Sequence, residues 1–402
     1  MRWMRSVRPL ASLLQALLPA LLLSACVSTP TRVATPPPFA DARFKPLAQP
    51  IEVETIFAMT PAMRRYADEV LRPAMRFGHA DRALVQALYD GGQLKLEYDA
   101  EHTRTAGSAF EARAGNCLSL VIMTGAFARH FGLPFRYQQV FTAPTWSRSG
   151  SLALANQHVN LALVRQSSES RVSTQGEGAQ HESLTVDFMP PADNSRSRTR
   201  PVSEAVITAM FLNNRAAELL ADGHVDDAYW WARKAIESVP SYTDSYNTLG
   251  VIYQKHGDLD RAEAVLRYAL AQEPENTIPL SNLVGVLQAR GLHAEAAQWS
   301  ARLKQLEPFP PFHFYDLGLA ALKAGQFEQA RQFFQRELNR EAHQPEAHFW
   351  IGIAKLYLND SAGAQKHLAR AIEHSTTQSS RALYTAKLDW LKSQGYTPRR
   401  GG

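Results

Sequence analysis

Residues 243–276 read TDSYNTLGVIYQKHGDLDRAEAVLRYALAQEPEN, and what they share with their flanks decides the fold of the back half. From about residue 209 the chain resembles itself every 34 residues. Ala228, Ala262, Ala296, Ala330 and Ala364 form one ladder, and Pro240, Pro274 and Pro308 a second. Ala235, Ala269 and Ala371 fall on a third, with Leu303 and Glu337 in the intervening places. Leu249-Gly250, Leu283-Val284, Leu317-Gly318 and Ile351-Gly352 form a fourth. Small residues let paired helices approach, larger ones fill the holes between them, and the proline stops the second helix before the next unit begins. One such pair cannot hide its apolar face alone, so neighbours must stack.

The period and the residues Tyr246, Leu249, Gly250, Tyr253, Ala262, Leu266, Ala269 and Pro274 closely resemble the tetratricopeptide repeat. The resemblance implies about five repeats over residues 205–376, and Ser380 to Gln394 reads as an amphipathic capping helix within 377–395. A local irregularity is expected in the fourth copy, where Glu337 replaces a small residue and the proline comes late, at Pro345. Arrays of this kind bind peptides or proteins in a groove; the alternative is a rigid spacer. The sequence shows no obvious cluster of Lys and Asn to grip a peptide carboxylate.

The other end reads as an export signal, residues 1–25. Arg2, Arg5 and Arg8 precede an apolar run from Ala11 to Leu23, shorter than a spanning helix requires. Leu23-Ser24-Ala25-Cys26 looks like a bacterial lipobox, so Cys26 is expected to carry lipid; an uncleaved anchor is the alternative. Val27, not Asp, follows the lipid site, which resembles lipoproteins sorted to the outer membrane, facing the periplasm. Removing the three arginines lowers the net charge from +5 to +2, and no compact Lys/Arg run suggests nucleic acid. The proline-rich residues 26–50 read as a semi-extended tether that buries little.

Cys117 is the one thiol left after lipidation. In an oxidising compartment an unpaired thiol is either buried in a core or used. Between Ile51 and Pro190 the pattern predicts helices at Met63–Arg76, Ala80–Gly91 and Cys117–Phe131. Strands are predicted at Phe135–Phe141, Gln157–Arg165 and Leu184–Met189, giving an α+β arrangement with an antiparallel sheet. Trp146 falls on a predicted loop, and 166–183 reads as a polar insertion. Cys117 would open a helix, where unpaired N–H groups and the positive dipole end favour a thiolate. Five histidines are available in this region, and His158, in a strand, is the preferred base. Asp187, among apolar neighbours in the next strand, is the preferred orienting group. The bland alternatives are a core cysteine, a strand histidine satisfied by its neighbours and a turn-capping acid.

Gly115-Asn116-Cys117, then Ala126 and Arg129, then Gly132-Leu133-Pro134-Phe135-Arg136, resemble the core of the transglutaminase-like superfamily. The resemblance implies an α+β, papain-like domain, taken as residues 51–200, with a Cys117, His158, Asp187 triad in that chain order. It implies thiol-dependent acyl transfer at an amide, hydrolysis in preference to crosslinking. The spacings of His and acids match no metal-ligand motif, so no metal or cofactor is expected. The rival expectation is an inactive scaffold for protein–protein interaction in the cell envelope. The backbone N–H of Cys117 is the natural oxyanion donor, and a second donor from upstream is expected.

Overall fold

The computed structural model describes residues 35–77, 79–89, 94, 96–149, 152–164, 183–188 and 198–393. The front half opens with α1 (Pro61–Tyr66), whose N-cap Thr60 accepts a hydrogen bond from the Met63 N–H. A π-helical turn, Ala67–Leu71, leads into the short α2 (Arg72–Ala74). Then come α3 (Ala80–Leu88), β1 (Glu97–Tyr98), α4 (Ala106–Ala112), β2 (Ala114–Gly115) and α5 (Cys117–His130). The main sheet follows: β3 (Phe135–Ser149), β4 (Leu152–Val164), β5 (Ser183–Val186) and β6 (Arg198–Val202). It is antiparallel, in the order β5-β4-β3-β6. Every residue of α5 from Cys117 to Ala128 is buried, and the helix packs on β4 through a core that includes Val121, Phe127, Val159, Leu161 and Leu163.

The predicted helices and strands of this half are present, with three differences. β3 does not end at Phe141. A register shift between Val140 and Thr145 carries the ribbon on, so Trp146, expected in a loop, pairs with Ala155. Asp187 stands one residue beyond β5, not inside a strand. The strand β6 was not expected: its polar, proline-containing sequence is allowed because it is an edge, paired to β3 alone. The insertion, apart from Ser183, lies outside the described residues.

The back half is a stack of five helix pairs. They are α6 (Glu204–Ala221) with α7 (Val225–Ser238), α8 (Thr243–His256) with α9 (Leu259–Gln272), α10 (Thr277–Ala289) with α11 (His293–Leu306), α12 (His313–Lys323) with α13 (Phe327–Leu338), and α14 (Pro345–Tyr357) with α15 (Ser361–Glu373). The expected last helix is α16 (Gln378–Ser393), packed on α15. The small residues act as the sequence implied. A Cβ on Gly250 would stand 2.7 Å from Leu266, one on Gly318 2.6 Å from Phe334, and one on Gly352 3.0 Å from Leu368. In the third repeat the equivalent position holds Val284, which is buried, in place of the glycine. The first helix of successive pairs ends at a residue with positive φ: Gly223, Gly257, Gly291, Gly325 and then Asn359. At the irregular copy Glu337 is buried, and its carboxylate accepts the backbone N–H groups of Phe314 and Tyr315, both at 3.1 Å, at the start of α12. An acid there replaces small-residue packing with a helix cap.

The tether expectation fails for its second half. Ala40 and Phe44 are buried against the first repeats: Phe44 stacks on Tyr229 with centroids 3.9 Å apart, and the Ala40 N–H donates to the Tyr229 hydroxyl. Arg43 pairs with Asp258 and Asp41 with Arg233. The prolines stiffen this segment, but Phe39, Ala40 and Phe44 give it an apolar face, and that face is what docks. The two halves also meet elsewhere. The Thr103 N–H donates to Glu218, Arg148 forks onto Asp316 at 2.8 and 3.0 Å, and the Ala100 N–H donates to the Thr376 carbonyl. The leader, Cys26 and the first part of the tether lie outside the described residues, among which no helix is long and apolar enough to cross a membrane.

Candidate functional site

Cys117 is the first residue of α5, and its placement follows from the turn before it. Gly115 sits where a Cβ would meet Ser119 at 2.7 Å, so only glycine lets the chain pass this close to the helix it is about to enter. Asn116 is the N-cap: its Oδ1 accepts from the Ser119 N–H and hydroxyl, and its Nδ2 donates to the Thr103 hydroxyl. The Ser119 hydroxyl in turn accepts from the Arg104 N–H. The segment 103–104 is thereby fastened to the helix start. The thiol is 9% exposed and points its hydrogen bond at the Gln157 carbonyl, 4.0 Å away.

His158 lies in β4 and is 7% exposed. Its Nε2 is 2.8 and 2.9 Å from the two carboxylate oxygens of Asp187, and Asn160 donates to the same carboxylate at 3.2 Å. Nε2 therefore carries the hydrogen. Nδ1 is buried, with no hydrogen-bond partner of normal geometry among the described residues. The Cys117 sulfur nonetheless interacts with the ring and favours its charged form. Burial works against the imidazolium. The hydrogen bond to Asp187, then that to Cys117, then the negative charges of both outweigh it and raise His158 to about 9. The three residues singled out from the sequence thus converge, in the order thiol, ring, carboxylate.

Sequence reasoning missed Tyr98. The β1–β2 pairing sets Tyr98 opposite Gly115, two residues before the thiol. Its hydroxyl meets the Cys117 backbone N–H, and burial, reinforced by the thiol's charge, holds its pKa far above the usual phenol value. The Cys117 N–H thus donates to a hydroxyl that stays protonated, and both residues line the same cavity. A two-residue strand leaves no periodicity to read, so no local pattern could have pointed to it.

Cys117 faces a cavity of about 860 Å³ built from both halves. Tyr98, Trp146 and Gln157 line it on one side, and Asn213, Asp244, Asn247 and Asn282 on the other. His158 and Asp187 are not among its lining residues. The asparagines correct the expectation of a groove without them: Asn213, Asn247 and Asn282 sit at near-repeat spacing, and Asn282 donates to Asn247 at 2.8 Å. Gln157 donates to Asp244, whose carboxyl is pushed up to about 6 by burial. Gln157 thus joins the residue before the ring to the solenoid. Near the rim, Asp99, Glu101 and His102 bring ligand atoms within 4.8 Å of one another, a grouping the sequence spacing had not suggested. Asp99 is already paired to Arg104 at 2.7 Å.

The family profile of the Tetratricopeptide repeat matches residues 243–276, the stretch on which the period was first read. The chain carries tetratricopeptide repeats. It is 30% identical over 128 residues to the type IV pilus assembly protein PilF of Pseudomonas aeruginosa, a match over 31% of this chain and 51% of PilF. It is 32% identical over 122 residues to the CTR9 homolog of Arabidopsis thaliana, 30% of this chain and 11% of that protein. The chain therefore spans about half of the length of the first relative and about a tenth of the second. Among solved structures, it is similar to YrrB, described as a TPR protein with an unusual peptide-binding site, at 21% identity and a TM-score of 0.24 over 45% of this chain and 92% of that one. The solved structure of P. aeruginosa PilF is similar at 22% identity and a TM-score of 0.27, over 47% and 93%.

Proposed function

We propose that this protein is a tetratricopeptide binding protein whose front half carries a transglutaminase-like thiol site, and that the repeats hold a polypeptide whose amide bond the thiol attacks. One observation carries the proposal: a cysteine at a buried helix start, a histidine and a carboxylate stand in line, and the sulfur faces a cavity walled by the repeats. Cys117 would add to the amide carbonyl with its thiol proton already passed to Nδ1 of His158, as a thiolate–imidazolium pair. The same ring then gives that proton to the departing nitrogen, leaving a thioester on Cys117. Asp187 holds the ring through Nε2–H. Tyr98 and the Cys117 N–H would face the oxyanion. Water then cleaves the thioester and restores the thiol; an amine in its place would make a crosslink. Hydrolysis is the preferred outcome, on the resemblance to bacterial members of that superfamily.

The decisive experiment is mass spectrometry of the full chain after incubation with peptide esters and amides. The expected product is an acyl adduct on Cys117 that is absent in Cys117→Ser. A folded protein whose Cys117 resists iodoacetamide and forms no adduct would refute the enzymatic reading. It would leave the second reading, a catalytically silent scaffold. What favours that reading is that the matching family profile is that of a repeat whose general role is binding. The likeness to a pilus assembly protein supports a protein partner under either reading.

We further propose that Cys26 anchors the chain by lipid in the outer membrane, facing the periplasm, as the lipobox and Val27 imply. Growth with an alkyne-tagged fatty acid should label the chain, and Cys26→Ala should abolish the label. Labelling that persists in the variant would remove the anchor.

A further inference from the structure

Four of the thirteen histidines gather at one point of the solenoid, where the chain entering α14 meets α15. His343 precedes α14, His348 lies within it, and His367 and His374 lie two turns apart at α15. Ring centroids are 5.3 Å apart for His348 and His367, 5.6 Å for His348 and His374, and 4.7 Å for His343 and His374. Nδ1 of His348 stands 3.2 Å from Nδ1 of His367.

The tautomer of the central ring can be read. His348 is 3% exposed, and its Nε2 lies 3.3 Å from the Ala342 carbonyl oxygen. A carbonyl can only accept, so Nε2 carries the hydrogen and Nδ1 presents a lone pair. An imidazole whose far nitrogen donates to a backbone carbonyl is the usual arrangement of a metal-ligating histidine. Nδ1 of His343 is also buried, with no hydrogen-bond partner among the described residues. Metal binding takes the neutral imidazole, which is the main form of an ordinary histidine at pH 7.5. Lys355, Lys366 and Arg370 are nearby cations that oppose a metal ion, but Lys355 is tied to Asp360 at 2.6 Å and the other two are exposed.

We propose that His348 and His367 form the nucleus of a transition-metal site of the Zn²⁺ class, with His374 and His343 supplying further imidazoles by rotation of their rings. An ion about 2.1 Å from each Nδ1 would see an angle of about 100°, between octahedral and tetrahedral. An all-imidazole set selects Zn²⁺, Ni²⁺ or Cu²⁺ over Ca²⁺ or Mg²⁺. The ion would clip α14 to α15 near the end of the array.

The test is calorimetric titration of the full, chelator-stripped chain with Zn²⁺ at pH 7.5. One equivalent is expected to bind, with affinity reduced about tenfold or more in His367→Gln and in His348→Gln. Cys117→Ser and Asp99→Asn, which remove the thiol and the rim cluster as competitors, should leave it unchanged. Co²⁺ in place of Zn²⁺ should show no thiolate charge-transfer band. His348 is buried and its variant can unfold, so the half-buried His367 decides: zinc should raise the melting temperature of the parent chain but not of His367→Gln. No zinc uptake, or uptake that follows Cys117 or Asp99 instead of the histidines, would overturn the proposal.

Discussion

The solenoid makes each of its contacts several times; the thiol cleft makes each of its contacts once. Gly250 on Leu266, Gly318 on Phe334 and Gly352 on Leu368 are one solution repeated. In the cleft, Asn116 caps α5, Asp187 orients His158 and Tyr98 stands beside the Cys117 N–H, each once among the described residues. A repeated contact tolerates loss, because its neighbours still stack. A contact made once tolerates none. The chain thus concentrates chemical consequence in its front half and spreads mechanical consequence along its back half.

The largest effect that would break this contrast lies at the thiol. Cys117→Ser should abolish acyl-adduct formation and lower any amide turnover by a factor of about 10³ or more, since the weaker nucleophile replaces the thiolate. Its melting temperature should stay within a few degrees of the parent, because the change is nearly isosteric. A variant that keeps turnover would place the chemistry elsewhere.

Next in size is Asp187→Asn. His158 is raised to about 9 in the folded chain against an ordinary 6.5, and the hydrogen bond that Nε2 donates to Asp187 is the main effect holding it up. Turnover that needs the imidazolium as acid should therefore persist through neutral pH and fall as pH rises through about 9. The stabilisation from the charged ring follows the same sense: it is complete below pH 6.5 and lost as the ring deprotonates near 9. In Asp187→Asn that alkaline limb should move down toward the ordinary histidine range, with turnover reduced about 10²- to 10⁴-fold. A limb that stays near 9 would detach Asp187 from the ring.

The two halves also differ in how far the sequence disclosed them. The solenoid was legible because periodicity averages over five copies: a departure such as Glu337 registers against the pattern, and the structure explains it as a cap on α12. The helix at Cys117 was legible from Gly115-Asn116 ahead of it and Gly132 behind it. The pairing of His158 with Asp187 was legible only as an order of residue types along the chain. Tyr98, β6 and the strand around Trp146 were not, because each depends on pairing with a partner distant in sequence. The docking of Phe44 was hidden by composition, since six prolines over 27–50 outweighed one aromatic pair. The ladder of Gly223, Gly257, Gly291 and Gly325 was visible in the sequence and would have fixed the end of each first helix directly.

Among repeat contacts, Leu266→Ala should be the most damaging of those considered. Leu266 is fully buried against Gly250, and losing it should cost about 2–5 kcal/mol by denaturant titration. If repetition dilutes damage, the loss should be confined to repeats on either side, so hydrogen exchange should quicken in α8 to α11 and leave α5 protected. Exchange that quickens equally in α5 would show that the halves unfold as one, and the contrast drawn here would then hold for chemistry but not for stability.

The smallest effect tests the turn ladder. Gly257 ends α8 with φ of +88°, and Asn359 fills the equivalent place in the fifth repeat with φ of +60°. A β-carbon in this region costs about 1 kcal/mol, less for asparagine, whose side chain tolerates the left-handed region. Nothing lies within 4 Å of a Cβ built on Gly257, so packing does not add to the penalty. Gly257→Ala should therefore lose about 1 kcal/mol and Gly257→Asn measurably less. Because the fifth repeat already uses asparagine, the ranking Gly, Asn, Ala should hold at residue 257 and at residue 359 alike. A reversed ranking at either position would mean that the repeats are not interchangeable at their turns, and that the redundancy of the solenoid ends with its helix contacts.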